Sequence, residues 1–154
     1  MLGTGTHTLG GHTFTLTSLS LFLSLSLSLS LSPFLRVYTY TYRMHRYNLH
    51  AKAVLHTVGP MGIKPDALRA AYRSALDQAV GHGLKTVALC ALSTGIFGYD
   101  VRKATPVAMA AVRGWLEEGE NKTLLSAIIF CTFSNADTAI YKSYMPLMFP
   151  TTAE

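Results

Sequence analysis

Three short runs, Ala51 to Val58 (AKAVLHTV), Thr86 to Leu92 (TVALCAL) and Ser126 to Phe133 (SAIIFCTF), are apolar and rich in β-branched residues. Each ends at turn-forming or helix-capping residues, a pattern that predicts strands. The intervening segments change period. After Pro65 and Asp66, favoured in a first helical turn, Leu68, Ala71, Tyr72, Ala75, Leu76 and Ala79 recur at helical spacing, and Gly81 and Gly83 stop the pattern. A second helix runs through Trp115 to Glu118, with two competing starts. Asp100 can cap it, which leaves Pro106 beyond the first turn, or Thr105 and Pro106 can themselves be cap and first position. A last helix, capped by Ser134 or Asn135, follows Ala139, Ile140 and Tyr144 and is expected to end at Pro146. This order with short connections predicts an α/β fold of parallel βαβ units, with strands covered on both faces.

Before about residue 47 the texture is different. Thr, Gly, Leu, Ser and Tyr alternate, and Leu and Ser alternate from Leu19 to Ser32 apart from Phe22. Period 2 suits a half-buried strand, but the run is long and monotonous. Leu16 to Leu31 falls short of the roughly 20 apolar residues of a spanning helix. It also lacks the basic start and small-residue cleavage site of a signal peptide. A DNA-level reading fits better: CT repeats read in triplets encode Leu-Ser, AC repeats encode Thr-His, and TATACA repeats encode the Tyr-Thr alternation at Tyr38 to Tyr42. The expected organisation is a low-complexity segment at 1–46 with little defined structure, a folded unit at 47–150, and a tail at 151–154.

Charge sharpens this division. The formal charge is +5, yet no Asp or Glu precedes Asp66, while Arg36, Arg43, Arg46, Lys52 and Lys64 do. From Asp66 onward eight basic residues balance eight acidic ones. No dense Lys/Arg run appears, so nucleic acid is not an expected partner, and a membrane tether is the least favoured reading of the Leu/Ser run. Cys90 and Cys131 each sit inside an apolar run, which suggests small core residues. Neither has a second Cys or His at metal-ligand spacing, so no metal site or cofactor is expected. The default compartment is intracellular, cytoplasmic or nuclear.

Ligands of open α/β sheets bind beyond the carboxyl ends of the strands. The loops expected there are Gly59 to Lys64, Ser93 to Tyr99 and Ser134 to Asp137. Ser93-Thr94-Gly95-Ile96-Phe97-Gly98 joins a strand to a helix with two glycines and two hydroxyls. Glycine lets an anion approach the backbone, where successive N–H groups and the next helix N-terminus can converge on it. Ile96 and Phe97 would cover a ribose or base. The competing reading is plain connection chemistry, with Phe97 as a core plug.

Ser93 to Tyr99 (STGIFGY) resembles the second phosphate loop of macro domains, especially the MacroD type. Tyr47-Asn48-Leu49, then Val54 to Pro60 (VLHTVGP), resembles the family's strand and following turn. Tyr72 to Leu76 with Ala79, His82 to Leu84, Trp115 to Glu118, Ile129 to Phe133, Ile140-Tyr141 and Phe149-Pro150 continue the likeness in order. It covers about two thirds of the chain and only the latter part of the family's domain. The resemblance implies a partial three-layer macro-like fold in which Ser93, Thr94, Gly95, Ile96, Phe97, Gly98 and Tyr99 hold the diphosphate and distal ribose of ADP-ribose. Phe133 would pack on the adenine, though core burial suits it equally well. His56 reads as structural. The family's first half supplies an adenine-reading Asp, an Asn-rich strand end and a Gly-rich loop with an acid and a His near the scissile bond. Nothing equivalent is found here, since no acid precedes Asp66 and Gly10-Gly11-His12 is a poor substitute. No catalytic residue is therefore assigned. The favoured function is a weak or vestigial module for ADP-ribose or ADP-ribosylated protein. The alternatives are a MacroD-type ADP-ribosylhydrolase or O-acetyl-ADP-ribose deacetylase, and a product without independent activity.

Overall fold

A computed structural model of the 154-residue chain describes residues 5–9, 12–18, 41–46 and 48–150, the first two stretches as backbone only. In chain order the elements are β1 (Gly5–Leu9), β2 (His12–Ser18), β3 (Thr41–Met44), β4 (Val54–Thr57), α1 (Pro65–Gly81), β5 (Thr86–Cys90), α2 (Val101–Glu117), α3 (Asn121–Leu124), β6 (Ala127–Thr132) and α4 (Asn135–Met148). One sheet has the order β1-β2-β6-β5 and a second pairs β3 with β4. β6 lies between two parallel neighbours, β2 and β5, whereas β1 and β2 are antiparallel.

Two expectations are corrected here. The segment before residue 47 is not uniformly irregular, because 5–9, 12–18 and 41–44 are strands. Thr recurs at every second position in Gly5–Leu9 and His12–Ser18, and this β-branched alternation suits extended backbone. The Leu/Ser run and Tyr47 lie outside the described residues. In addition, β4 does not extend the parallel sheet. It pairs antiparallel with β3, Thr41 opposite Thr57 and Met44 opposite Val54.

The core lies on one face of the main sheet, under α1, α2 and α4. The stripe expected for α1 is the buried stripe: Leu68, Ala71, Tyr72, Ala75, Leu76 and Ala79. Gly83, at φ 67°, closes that helix with bonds from its own N–H to Val80 O and from Leu84 N–H to Ala79 O, a left-handed stop that favours glycine. Trp115 of α2 is buried and donates from Nε1 to Asp77 Oδ1 of α1 at 2.7 Å, tying the two long helices together. Tyr72 OH donates to Cys90 O and accepts from Leu92 N–H, so one buried phenol pins α1 to the end of β5. Burial first, and the nearby Tyr141 next, raise the Tyr72 phenol well above its ordinary value.

The competing starts for α2 resolve in favour of Asp100, which accepts from Arg102 N–H at 2.8 Å. Pro106 then lies inside a 17-residue helix. The amide it lacks would have bonded the carbonyl of Arg102, which belongs to an exposed residue that water can reach. α4 likewise runs past Pro146 to Met148, its fourth-preceding residue being the exposed Lys142. Ser134 caps α4 in a reciprocal box with Asp137.

Covering is one-sided on β5. Val87 and Leu89 are buried, whereas Thr86, Ala88 and Cys90 are exposed. Period-2 geometry sends alternate side chains to opposite faces, and the helices cover only one of them. The expectation of strands buried on both faces fails for that reason.

Candidate functional site

The parallel register of β5 and β6 puts Cys90 level with Cys131, so the segments that follow both strands emerge at one edge. The segment after β4 joins them. Gly62 N–H donates to Phe97 O at 2.8 Å, and Gly59 lies so close to Ser93 that a Cβ built there would fall 2.3 Å from Ser93 Oγ. Two of the loops expected to flank a ligand, Gly59 to Lys64 and Ser93 to Tyr99, therefore meet, and the third, Ser134 to Asp137, follows β6 at the same sheet edge as the second.

The middle loop divides its backbone donors. Gly98 N–H bonds Gly95 O at 2.9 Å and Tyr99 N–H bonds Ser93 O at 3.0 Å, which closes the loop on itself. The N–H groups of Thr94, Gly95, Ile96 and Phe97 make no backbone hydrogen bond among the described residues. Internal bonds thus fix the loop's shape and leave a run of successive donors at its tip, the arrangement that suits an oxyanion. Ser93 stands at φ 66° and Gly98 at φ 68°. Such a conformation is ordinary for glycine and costly for serine. Thr94 Oγ1 donates to Ala91 O at 3.0 Å, so its hydroxyl braces the loop.

The side chains sort the predicted set. Ile96 is 93% exposed and Phe133, at the end of β6, is 76% exposed, which removes core burial as the explanation of Phe133. Phe97 is half-buried, and Gly95 and Gly98 are exposed. Tyr99 is corrected. It belongs to the core at 2% exposure, its hydroxyl is buried without a hydrogen-bond partner, and burial raises its phenol above the ordinary value. It supports the loop from beneath. Ser93 Oγ is likewise buried and unpartnered. Val58, Met61 and Ile63 are exposed apolar residues on or beside the neighbouring loop. Sequence reasoning missed these three, although their position between Thr57 and Lys64 was signal enough.

Five of the eight exposed large hydrophobics among the described residues, Val58, Met61, Ile63, Ile96 and Phe133, thus lie on or beside the segments at the edge that carries the open amides. Apolar surface around backbone donors suits a ligand with a phosphate and a flat, partly apolar portion. The helix N-terminus contributes less than expected, because Asp100 already occupies the Arg102 N–H with a carboxylate three residues beyond Phe97. His56 is exposed on β4 rather than packed. A surface depression lined by Arg43, Met44, His45, Arg46 and Lys52 lies at the β3 end. None of those residues belongs to the three loops, so we give it no part in the site. Among the described residues no group of three or more His, Cys, Asp or Glu could hold a metal, and no helix is long and apolar enough to cross a membrane.

The macro-domain family pattern matches residues 41–108, the span from β3 through the loop into α2. ADP-ribose glycohydrolase MACROD1 of Mus musculus is 41% identical over 110 residues, covering 68% of this chain and 33% of that protein. ADP-ribose glycohydrolase MACROD2 of Xenopus laevis is 37% identical over the same length, 26% of that protein. The chain thus spans about a third or less of the length of these relatives. The Trypanosoma brucei macrodomain solved with ADP-ribose superposes with a TM-score of 0.63 at 38% identity, over 67% of this chain and 44% of that one. The Oceanobacillus iheyensis macrodomain with ADP shares the fold at a TM-score of 0.77, over 96% of this chain and 97% of its own, at 17% identity. With its loop, its strand order and its relatives in agreement, this chain belongs to the macro-domain family and carries the C-terminal part of that domain.

Proposed function

We propose that the chain is a binding module for ADP-ribose, free or attached to protein. The observation that carries the reading is the run of open amides from Thr94 to Phe97 at the tip of a loop whose other donors hold its shape. Those amides receive the diphosphate. Ile96 and Phe97 flank the distal ribose, and the exposed ring of Phe133 offers a face to the adenine. Relatives named as ADP-ribose glycohydrolases and a neighbour solved with ADP-ribose support this ligand class.

Affinity is weak on this reading. No Asp or Glu precedes Asp66, so no carboxylate from the leading segment reads the adenine amino group. A hydrogen bond to a charged acceptor contributes about 1.5–3 kcal/mol. Asp100 adds repulsion at the anion end. An amide-resolved NMR titration of the whole chain with ADP-ribose tests the proposal. The N–H signals of Gly95, Ile96 and Phe97 are expected to move together and saturate. Unmoved loop signals at millimolar ligand would refute the assignment.

Hydrolysis is the second reading, favoured by the names of the relatives. It needs an acid or base beside the ribose bond, and the leading segment supplies no carboxylate. Incubating the whole chain with mono-ADP-ribosylated protein decides it: the binding-module reading expects no release of ADP-ribose above buffer, and turnover would overturn it.

A further inference from the structure

The two cysteines lie 41 positions apart in sequence, and the sheet makes them neighbours. Cys90 on β5 and Cys131 on β6 are register partners in adjacent parallel strands, whose backbones run about 4.8 Å apart. Register partners in a parallel pair present their side chains to the same face. Burial identifies which one: Leu89 and Phe130, the preceding pair, are in the core, so Cys90 and Cys131 point the other way. Cys90 is exposed and Cys131 half-buried, and no disulfide joins them.

We propose that Cys90 and Cys131 form a two-sulfur chelating site for a soft monovalent cation of the Cu(I) class. Two parallel side chains about one strand spacing apart suit an ion held between their sulfurs better than a direct bond. A disulfide needs Cβ atoms roughly 3.5–4.5 Å apart and would pull the strands together, whereas a bridging ion fills the gap. Donor number selects the ion. Structural zinc takes four ligands, and no third His, Cys, Asp or Glu joins the pair among the described residues. Thiolates favour soft ions, and Cu(I) accepts two of them in linear coordination. Each thiol gives up its proton as its sulfur bonds the ion, with no change of oxidation state. Affinity therefore climbs with pH, because ion and protons compete for the same sulfurs. The site lies on the sheet face, and the loop Ser93 to Gly98 has no part in it.

The test is a competition between the reduced whole chain, in oxygen-free buffer, and a chromogenic Cu(I) chelator. Withdrawal of about one equivalent of Cu(I) is expected, with at least a tenfold loss of affinity in both Cys90→Ser and Cys131→Ser. Equal affinity in either variant, or no uptake by the parent chain, overturns the proposal. X-ray absorption on the loaded parent chain decides the matter should a variant fail to fold. Two sulfur neighbours on copper support the site, and a single sulfur or a shell of nitrogen and oxygen refutes it.

Discussion

Replacing Gly59 by alanine tests how the loops interlock. A Cβ at Gly59 would stand 2.3 Å from Ser93 Oγ and 3.5 Å from the Cβ atoms of Leu92 and Ser93. Comfortable heavy-atom contacts begin at about 3.5 Å, so the two Cβ contacts are tolerable and the hydroxyl is more than an ångström too close. The hydroxyl is already enclosed and without a partner. Ser93 is also held at φ 66°, so the methyl group meets a residue under strain. Overpacking of this kind costs about 1–3 kcal/mol. Ser93→Gly deletes the obstructing atom and removes the left-handed penalty, itself about 1–2 kcal/mol. The combination is therefore non-additive: Gly59→Ala alone destabilises, and in the Ser93→Gly background the same change is close to neutral. Urea unfolding of the whole chain, its two single variants and the double variant gives the coupling directly. Additivity within about 0.5 kcal/mol would refute the reasoning, since it would mean that Gly59 and Ser93 do not touch.

Further outcomes follow from other parts of the fold. Asp100→Asn keeps the cap and removes a carboxylate three residues beyond Phe97. A charge pair separated by several ångströms of water contributes on the order of 0.5 kcal/mol, so calorimetry is expected to show about a twofold gain in ADP-ribose affinity, and unchanged affinity would count against anion binding beside Asp100. Asp77→Ala leaves the buried Trp115 Nε1–H without its acceptor and is expected to lower the stability measured by urea by about 1–3 kcal/mol. Tyr141 is pushed up to about 12, chiefly by burial, with hydrogen bonds to Tyr72 and Thr105 opposing the shift. A folded-state value above the unfolded one means that stability is fully present below about pH 10 and is lost as pH rises through 10 toward 12. Tyr141→Phe should flatten that decline in alkaline unfolding curves, and an unchanged slope would contradict the assignment.

Much of this was legible in the chain because local signals and packing agree. The α1 stripe from Leu68 to Ala79 is buried as its spacing predicts, and Ser134 caps α4 where capping chemistry places a start. The loop Ser93 to Gly98 stood out through its glycines, and the amides from Thr94 to Phe97 are left without backbone partners among the described residues. The failures concern which face of an element is covered, a tertiary property. Cys90 looked like core because β5 is apolar throughout, yet only the face of Val87 and Leu89 is packed. Tyr99 looked like part of the ligand loop because it is contiguous with it, yet its ring enters the core. Pro106 and Pro146 looked like breaks, and are tolerated because the carbonyls they leave unbonded belong to exposed residues. The pairing of β4 with β3 depends on a partner strand whose Tyr-Thr alternation read as simple repeat.

Gly95 allows binding to be separated from folding. Its φ is not left-handed, and a Cβ placed there meets nothing within 4 Å. Gly95→Glu should accordingly leave the unfolding midpoint nearly unchanged while placing a carboxylate at the open amides. Against one phosphate charge at about 4 Å, the repulsion runs from about 1 kcal/mol in water to about 4 kcal/mol near a protein surface. Calorimetric titration with ADP-ribose of the parent chain and of Gly95→Glu is thus the most direct measurement. Saturable binding by the parent, weakened fivefold or more in the variant at equal stability, is the predicted result, and equal heats in the two chains, or none in the parent, would contradict the claim that this loop holds the diphosphate.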